Sequence, residues 1–457
     1  MRLALIGVCL LGLVLGFIAA ISFPAQARDK ILDIRAVKSP GGIEAWLVED
    51  HSIPVIALHF SFKGAGAVND PPDKQGLAKM VSNTLDEGAG ELDSQAFQKE
   101  LRDRVIGLYF SSDRDNFGGT VKTLTKNKSR AFELLQMALT TPRFDAEPVE
   151  RMRKANQGRI RSSLTEPEWM AARILNDVAF SGHSYAQNSG GTLRTLENIT
   201  IDDLRGFTKQ LSQKNLYVTA AGDIGAEELA SLLDQVFGAL PVQADLTPAP
   251  DIAIQNQGEL YLYEQDIPQT IIEMIQPGIK RSDPDYQTAQ VMNYILGSAG
   301  FGSRLTKEIR EKRGLTYGVY SHFMEMDHAH GLSVSTSTQN SNVAQMLPLI
   351  QEEWKKMATA PVTEDELKSA KSYLTGSLPL SLTSTDDVAS LLLSLKLDGL
   401  PIDYLDQRQE KIQATTIDDV SRVAKRLLDP AGFVTVLVGK PEGINNAKII
   451  ETLPNAE

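Results

Sequence analysis

The sequence predicts an α+β fold built twice, each copy a mostly antiparallel sheet with helices packed on one face. Three observations predict it. Strand-like runs of alternating apolar residues come in adjacent pairs, IEAWLVED with VIALHFSF and ELYLYE with TIIEMIQ, instead of strictly alternating with helices. Helical stretches such as SRAFELLQMAL and VAQMLPLIQEEWKKM follow those pairs. The chain also repeats itself at nearly constant spacing: Ile53-Pro54 returns as Ile267-Pro268, GGTVKTLTKN (118–127) as GLSVSTSTQN (331–340), TIDDL (200–204) as TIDDV (416–420), and YVT (217–219) as FVT (433–435). Layers of this kind fit better than a doubly wound parallel sheet.

The 457 residues, 42% hydrophobic and 23% charged, are enough for two globular domains. Residues 1–27, MRLALIGVCLLGLVLGFIAAISFPAQA, carry one arginine, a long apolar run and then Ala25-Gln26-Ala27, the small-x-small pattern of a signal-peptidase site. They read as a cleaved secretory signal and place the chain in the periplasm; a membrane anchor follows only if the leader is not cleaved. The single cysteine, Cys9, lies inside it, so the processed chain has no disulfide, zinc-thiolate or thiol nucleophile. A net charge of -12 repels phosphate backbones and argues against nucleic acid.

After the leader, residues 28–239 form the first copy and 259–457 the second. Between them LPVQADLTPAPDIAIQNQG (240–258) holds Pro241, Pro248 and Pro250 without a sustained period, as an extended linker does.

In the first copy, GLAKMVSNT (76–84) has helical spacing, which puts Lys79, Ser82 and Asn83 on one face at i, i+3 and i+4. In the second, GFGSRLTKEIREKRGLTYGVYS (300–321) has a helical Leu305/Ile309 pair and a helix stop at Gly314. LTYGVYSHF then reads as strand. The turn from helix to strand brings Arg310 and Tyr317 to one side, where a guanidinium and a phenol are fixed donors able to hold a carbonyl and stabilise an oxyanion. The plainer reading pairs Arg310 with Glu308 or Glu311 and packs Tyr317 at a strand end.

No two of the six histidines are spaced as HExxH or HxxEH. Only MDHAHG (326–331) clusters them; Asp327, His328 and His330 could hold a metal, but the segment reads as an ordinary polar turn between strands. GGIE and SAGFGSR lack the strand and GK[ST] context of a phosphate loop.

The stretch SRLTKEIREKRGLTYGVYS, after the glycine-rich SAGFG, resembles the signature of the pitrilysin/insulinase family of zinc peptidases, and the duplicated plan resembles that family over nearly the whole mature chain. The resemblance implies that Arg310 and Tyr317, seven positions apart, contact substrate near the scissile bond. It also aligns GLAKMVSN with the family phrase Gly-Leu-Ala-His-x-x-Glu-His, in which the two histidines bind zinc and the glutamate activates water. Lys79 then stands for the first histidine, Ser82 for the base and Asn83 for the second. A protonated lysine has no lone pair, a serine is no general base by itself, and an amide oxygen is a poor zinc ligand.

The third ligand, a glutamate about 75 residues further on in active relatives, falls near VERMRKANQGRI, with Gln157 as the match. The face is therefore expected to be a solvated relic, with no metal held by this chain. What the resemblance implies overall is a non-catalytic subunit, inactive alone. It would pair with a zinc-bearing paralogous peptidase subunit, the zinc residing in that partner, and help bind peptide substrates. The alternative is a peptide-binding or scaffold protein outside proteolysis, taking extended peptides at a sheet edge.

Overall fold

The computed structural model describes residues 30–455, so the predicted leader lies outside the described residues. Among the described residues, the strands form two six-stranded sheets. The first holds β1 (Arg35–Lys38), β2 (Glu44–Glu49), β3 (Val55–Lys63), β4 (Gly107–Ser112), β5 (Asn116–Leu124) and β6 (Leu216–Gly222), in the order β1-β2-β6-β3-β5-β4. The second holds β7 (Leu260–Glu264), β8 (Gln269–Pro277), β9 (Val319–Glu325), β10 (His330–Gln339), β11 (Val434–Gly439) and β12 (Lys448–Ile449), in the order β12-β7-β11-β8-β10-β9.

The inner order is the same in both sheets. In both, the equivalent inner pair is parallel (β2 with β6, β7 with β11) and the strands that follow it, from β6 to β4 and from β11 to β9, are antiparallel to their neighbours. The sequence repeats fall on equivalent elements. GGTVKTLTKN and GLSVSTSTQN lie on β5 and β10, and YVT and FVT lead through β6 and β11. TIDD opens a helix in each half, with Thr200 and Asp203, and Thr416 and Asp419, exchanging side-chain and backbone hydrogen bonds as capping boxes. The copies differ at one edge. β1 precedes its sheet and runs antiparallel to β2, whereas β12 comes from the C-terminal end and runs parallel to β7.

Alternation along the strands gives each sheet two apolar faces. In β3, Ile56, Leu58, Phe60 and Phe62 point to the half's own helices, while Ala57 points the other way. The helices of each half thus cover one face, as predicted, and the opposite face is covered by a helix from the other half. The helix Thr385–Leu397 packs Val388, Ala389 and Leu392 onto Ala57 and Ala221 of the first sheet. Reciprocally, the helix Pro167–Ala179 packs Met170, Ala171 and Ile174 against Ile271, Ile275, Val434 and Val436 of the second.

Polar contacts fix this seam. The Thr219 hydroxyl donates to the Ala389 carbonyl at 2.8 Å, and His59 Nε2 lies 2.9 Å from Asp386 Oδ1. The 240–258 segment has no regular structure, but it is bonded along its length. Ile252 N–H donates to the His328 carbonyl and Gln255 N–H to that of Ala179, and Ile254 is buried.

Candidate functional site

The segment Leu77–Ser82 is a short helix with Asn83 as its C-cap. Gly76, at φ +88°, opens it; a Cβ there would lie 2.8 Å from the Gly190 carbonyl oxygen, so a glycine is required. The buried Asp70 carboxylate accepts from the Gly76 and Ala78 amides at 2.9 and 3.0 Å and so satisfies orphan donors of that first turn. Leu77, Met80 and Val81 enter the core, which turns Lys79 and Asn83 toward the helix Ala146–Ser163.

The face is bonded where the sequence predicted a solvated one. Ser82 is 2% exposed and its hydroxyl donates to the Lys79 carbonyl at 2.9 Å, so it is withdrawn from any role as a base. Asn83 Nδ2 donates to Asn156 Oδ1 at 2.7 Å. That oxygen also accepts from Arg159 Nη1 at 2.8 Å, while Asn156 Nδ2 faces Met80 Sδ at 3.1 Å. Burial, reinforced by the Arg159 charge, lowers the Lys79 pKa.

Gln157 is one residue out of place. Its amide points to the Leu193 carbonyl and to Glu197 Oε1, so the residues that the second helix turns toward the site are Asn156 and Arg159. The sequence offered no pattern to choose among 156, 157 and 159; only the packing of one helix on another does. A lysine, an asparagine and an arginine supply no imidazole or carboxylate. The residues at this position therefore do not fit a zinc ion. Among the described residues no group of three His, Cys, Asp or Glu is placed to hold a metal.

Arg310 lies in a π-helical turn, Thr306–Glu311, anchored by fully buried Leu305 and Ile309. Gly314, at φ +65°, ends it, with its N–H on the Arg310 carbonyl at 2.8 Å. The strand begins only at Val319. Tyr317 stands in the preceding loop and not in the strand that LTYGVYSHF suggested. Threonines of β10 account for the difference. The Thr338 hydroxyl donates to the Leu315 carbonyl at 2.5 Å and that of Thr336 to the Gly318 carbonyl at 2.8 Å, which uses backbone groups of the loop and leaves Tyr317 pointing outward.

Arg310 Cζ lies 5.5 Å from the Tyr317 ring centroid, a cation–π geometry, and Tyr317 is 90% exposed. The predicted pair is therefore together. Glu308, one of the two partners in the plainer reading, bonds Lys312 at 2.6 Å and Arg313 at 2.5 Å. Just upstream, Arg304 holds Glu366 through two parallel bonds of 2.7 and 2.8 Å, tying the entry of this turn to the helix Glu364–Gly376. Sequence reasoning missed that tie because 62 residues separate the partners.

MDHAHG is the predicted turn between β9 and β10, closed by Met326 N–H on the Ala329 carbonyl. It docks against the first half. Asp327 N–H donates to Asp115 Oδ2, and His328 N–H meets the Tyr185 hydroxyl, which in turn donates to Asp115 Oδ1.

Comparison with known proteins follows the same lines. The family described as "Insulinase (Peptidase family M16)" matches residues 56–192, and "Peptidase M16 inactive domain" matches residues 198–374. A Helicobacter pylori protein named "Non-peptidase homolog YmxG" is 27% identical over 82% of this chain and 87% of its own length. The mitochondrial-processing peptidase subunit beta of Saccharomyces cerevisiae is 21% identical over 85% of this chain and 88% of its own. A crystal structure from Pseudomonas fluorescens, described as a peptidase M16 inactive domain, superposes with a TM-score of 0.84 at 26% identity, covering 92% of this chain and all of that one.

Proposed function

Because the chain belongs to peptidase family M16, the insulinase family, we propose that it is the non-catalytic subunit of an exported, heterodimeric zinc peptidase whose zinc sits in a paralogous partner. The observation that carries this reading is a division within one chain. The positions aligned with the zinc motif hold Lys79, Ser82 and Asn83, faced by Asn156 and Arg159, while Arg310 and Tyr317 remain paired and Tyr317 is turned outward. A donor pair kept where no metal is held suits chemistry performed on another subunit.

In that role the guanidinium and the phenol donate to the scissile carbonyl as it becomes an oxyanion. Being already together, with 5.5 Å between the guanidinium carbon and the ring centroid, they need little reorganisation when the charge develops. A zinc ion held by the partner would supply the Lewis acid for that carbonyl and for the attacking water. The similarity to a named subunit of a processing peptidase supports a subunit role.

The test is peptide cleavage by the chain co-expressed with a paralogue carrying His-x-x-Glu-His. Arg310→Ala or Tyr317→Phe lowers turnover about 10²–10³-fold if the pair stabilises the transition state. Unchanged turnover removes the catalytic role. The named non-peptidase relative favours a second reading, a peptide-binding scaffold, under which no combination of subunits cleaves peptide in a chelator-sensitive way.

A further inference from the structure

We propose that the former metal position has become a carboxylate site that holds the free C-terminus of a peptide. Across the contact between the two helices Asn156 Oδ1 accepts from both Asn83 and Arg159, and Lys79, one turn before Asn83 on the first helix, lies near enough to feel the Arg159 charge. Among the described residues neither cation has a carboxylate within ion-pairing distance, although the chain carries a net charge of -12 and two arginines earlier on the same helix are paired. On the same helix Arg151 is bound to Glu87 and Arg153 to Glu150. A half-buried ammonium beside a guanidinium costs free energy twice, through lost hydration and through like-charge repulsion. An anion between them offsets both.

The electrostatic sign of a metal position is thus kept while its lone pairs are gone. A dication at this place attracts the oxygen of the peptide group being cleaved. Two side-chain cations attract oxygen as well, and most strongly where it carries a full charge, at a chain end. Lys79 supplies an ammonium, Arg159 a planar fork, and Asn83 the second hydrogen of an amide whose first is on Asn156. With Ser82 turned back onto its own helix, no base activates water, so the site binds and does not cleave.

This inference rests on reading the chain as a peptide-handling subunit, and the two are separable because binding is measured on the chain alone, without a partner. The experiment titrates a fluorescent hexapeptide with a free C-terminus, and the same peptide as its C-terminal amide, into the purified chain. The free acid is expected to bind about tenfold tighter or more, as a charge-assisted pair requires. Lys79→Gln, and separately the exposed Arg159→Gln, each bring the acid down to the amide's affinity and leave the amide unchanged.

Thermal melts accompany both variants. Arg159→Gln, at the surface, keeps the question answerable if Lys79→Gln unfolds. Equal binding of acid and amide, or an acid preference that survives both substitutions, overturns the proposal. So does displacement by inorganic phosphate at concentrations matching the peptide's own affinity, which marks a general anion site. Loss of turnover on Arg310→Ala would stand whichever way this titration falls.

Discussion

Asn83 donates its side-chain amide to Asn156 at 2.7 Å, joining the helix that carries the zinc-motif-like GLAKMVSN to the helix Ala146–Ser163. The contact converts a ligand position into a structural one. Replacing Asn83 with leucine removes the donor but leaves Arg159 on the Asn156 oxygen, so the expected loss is about 1–2 kcal/mol by denaturant unfolding. The purified chain dialysed against zinc is expected to retain well under one equivalent by metal analysis, and a chelator leaves its melting temperature unmoved.

Glu273 gives the seam between the halves a pH dependence. It sits on β8 facing the helix Pro167–Ala179, and burial pushes its carboxyl up to about 7 from 4.5, against the Ser335 hydroxyl bonded at 2.7 Å and with the Glu168 charge adding to the rise. A carboxyl raised in the folded state lends stability that is fully present below its unfolded pKa of about 4.5 and lost as pH climbs through about 7. Glu273→Gln, neutral at every pH, is expected to match the wild type at pH 4 and to exceed it at pH 8 by about 1–3 kcal/mol. Parallel unfolding curves at both pH values test the sign.

Leu392 is fully buried between the helix Thr385–Leu397 and the first sheet. Truncation to alanine opens a cavity in the shared seam and is expected to cost about 2–5 kcal/mol. Because the seam joins both halves, the urea transition should shift as one step and not split into two.

Arg304 fixes the entry to the turn of Arg310 and Tyr317 through its two bonds to Glu366. Burial alone would raise the Glu366 carboxyl, but Arg304 and the Thr363 backbone amide hold it at about 2. Arg304→Ala is expected to reduce cleavage in the proposed heterodimer about tenfold or more by loosening the placement of the pair, a positioning effect. Arg304→Lys keeps the charge but not the fork and should restore only part of it.

Much of this was legible in the sequence for local reasons. Alternation in VIALHFSF, the capping phrase TIDD and the repeat GGTVKTLTKN each encode an element within a few residues, and two copies of each gave the duplicated plan. Arg310 and Tyr317 were legible because one turn joins them. What escaped depends on contacts distant in sequence. The identity of Asn156 and Arg159 follows from how one helix rolls on another, and the start of β9 at Val319 follows from hydroxyls on β10. The predicted solvated face failed for the same reason, since the neighbour that covers it is 73 residues away.

The exchange of helices across the two sheets bears on how the protein can be taken apart. Neither half alone has a partner for its second apolar surface, so a fragment ending near Val242 would expose a greasy sheet and precipitate, whereas both fragments made together have every contact they need. A protease cut in the connecting segment should leave one particle in gel filtration, its pieces parting only in denaturant. The two copies are, in that sense, one folding unit written as a repeat.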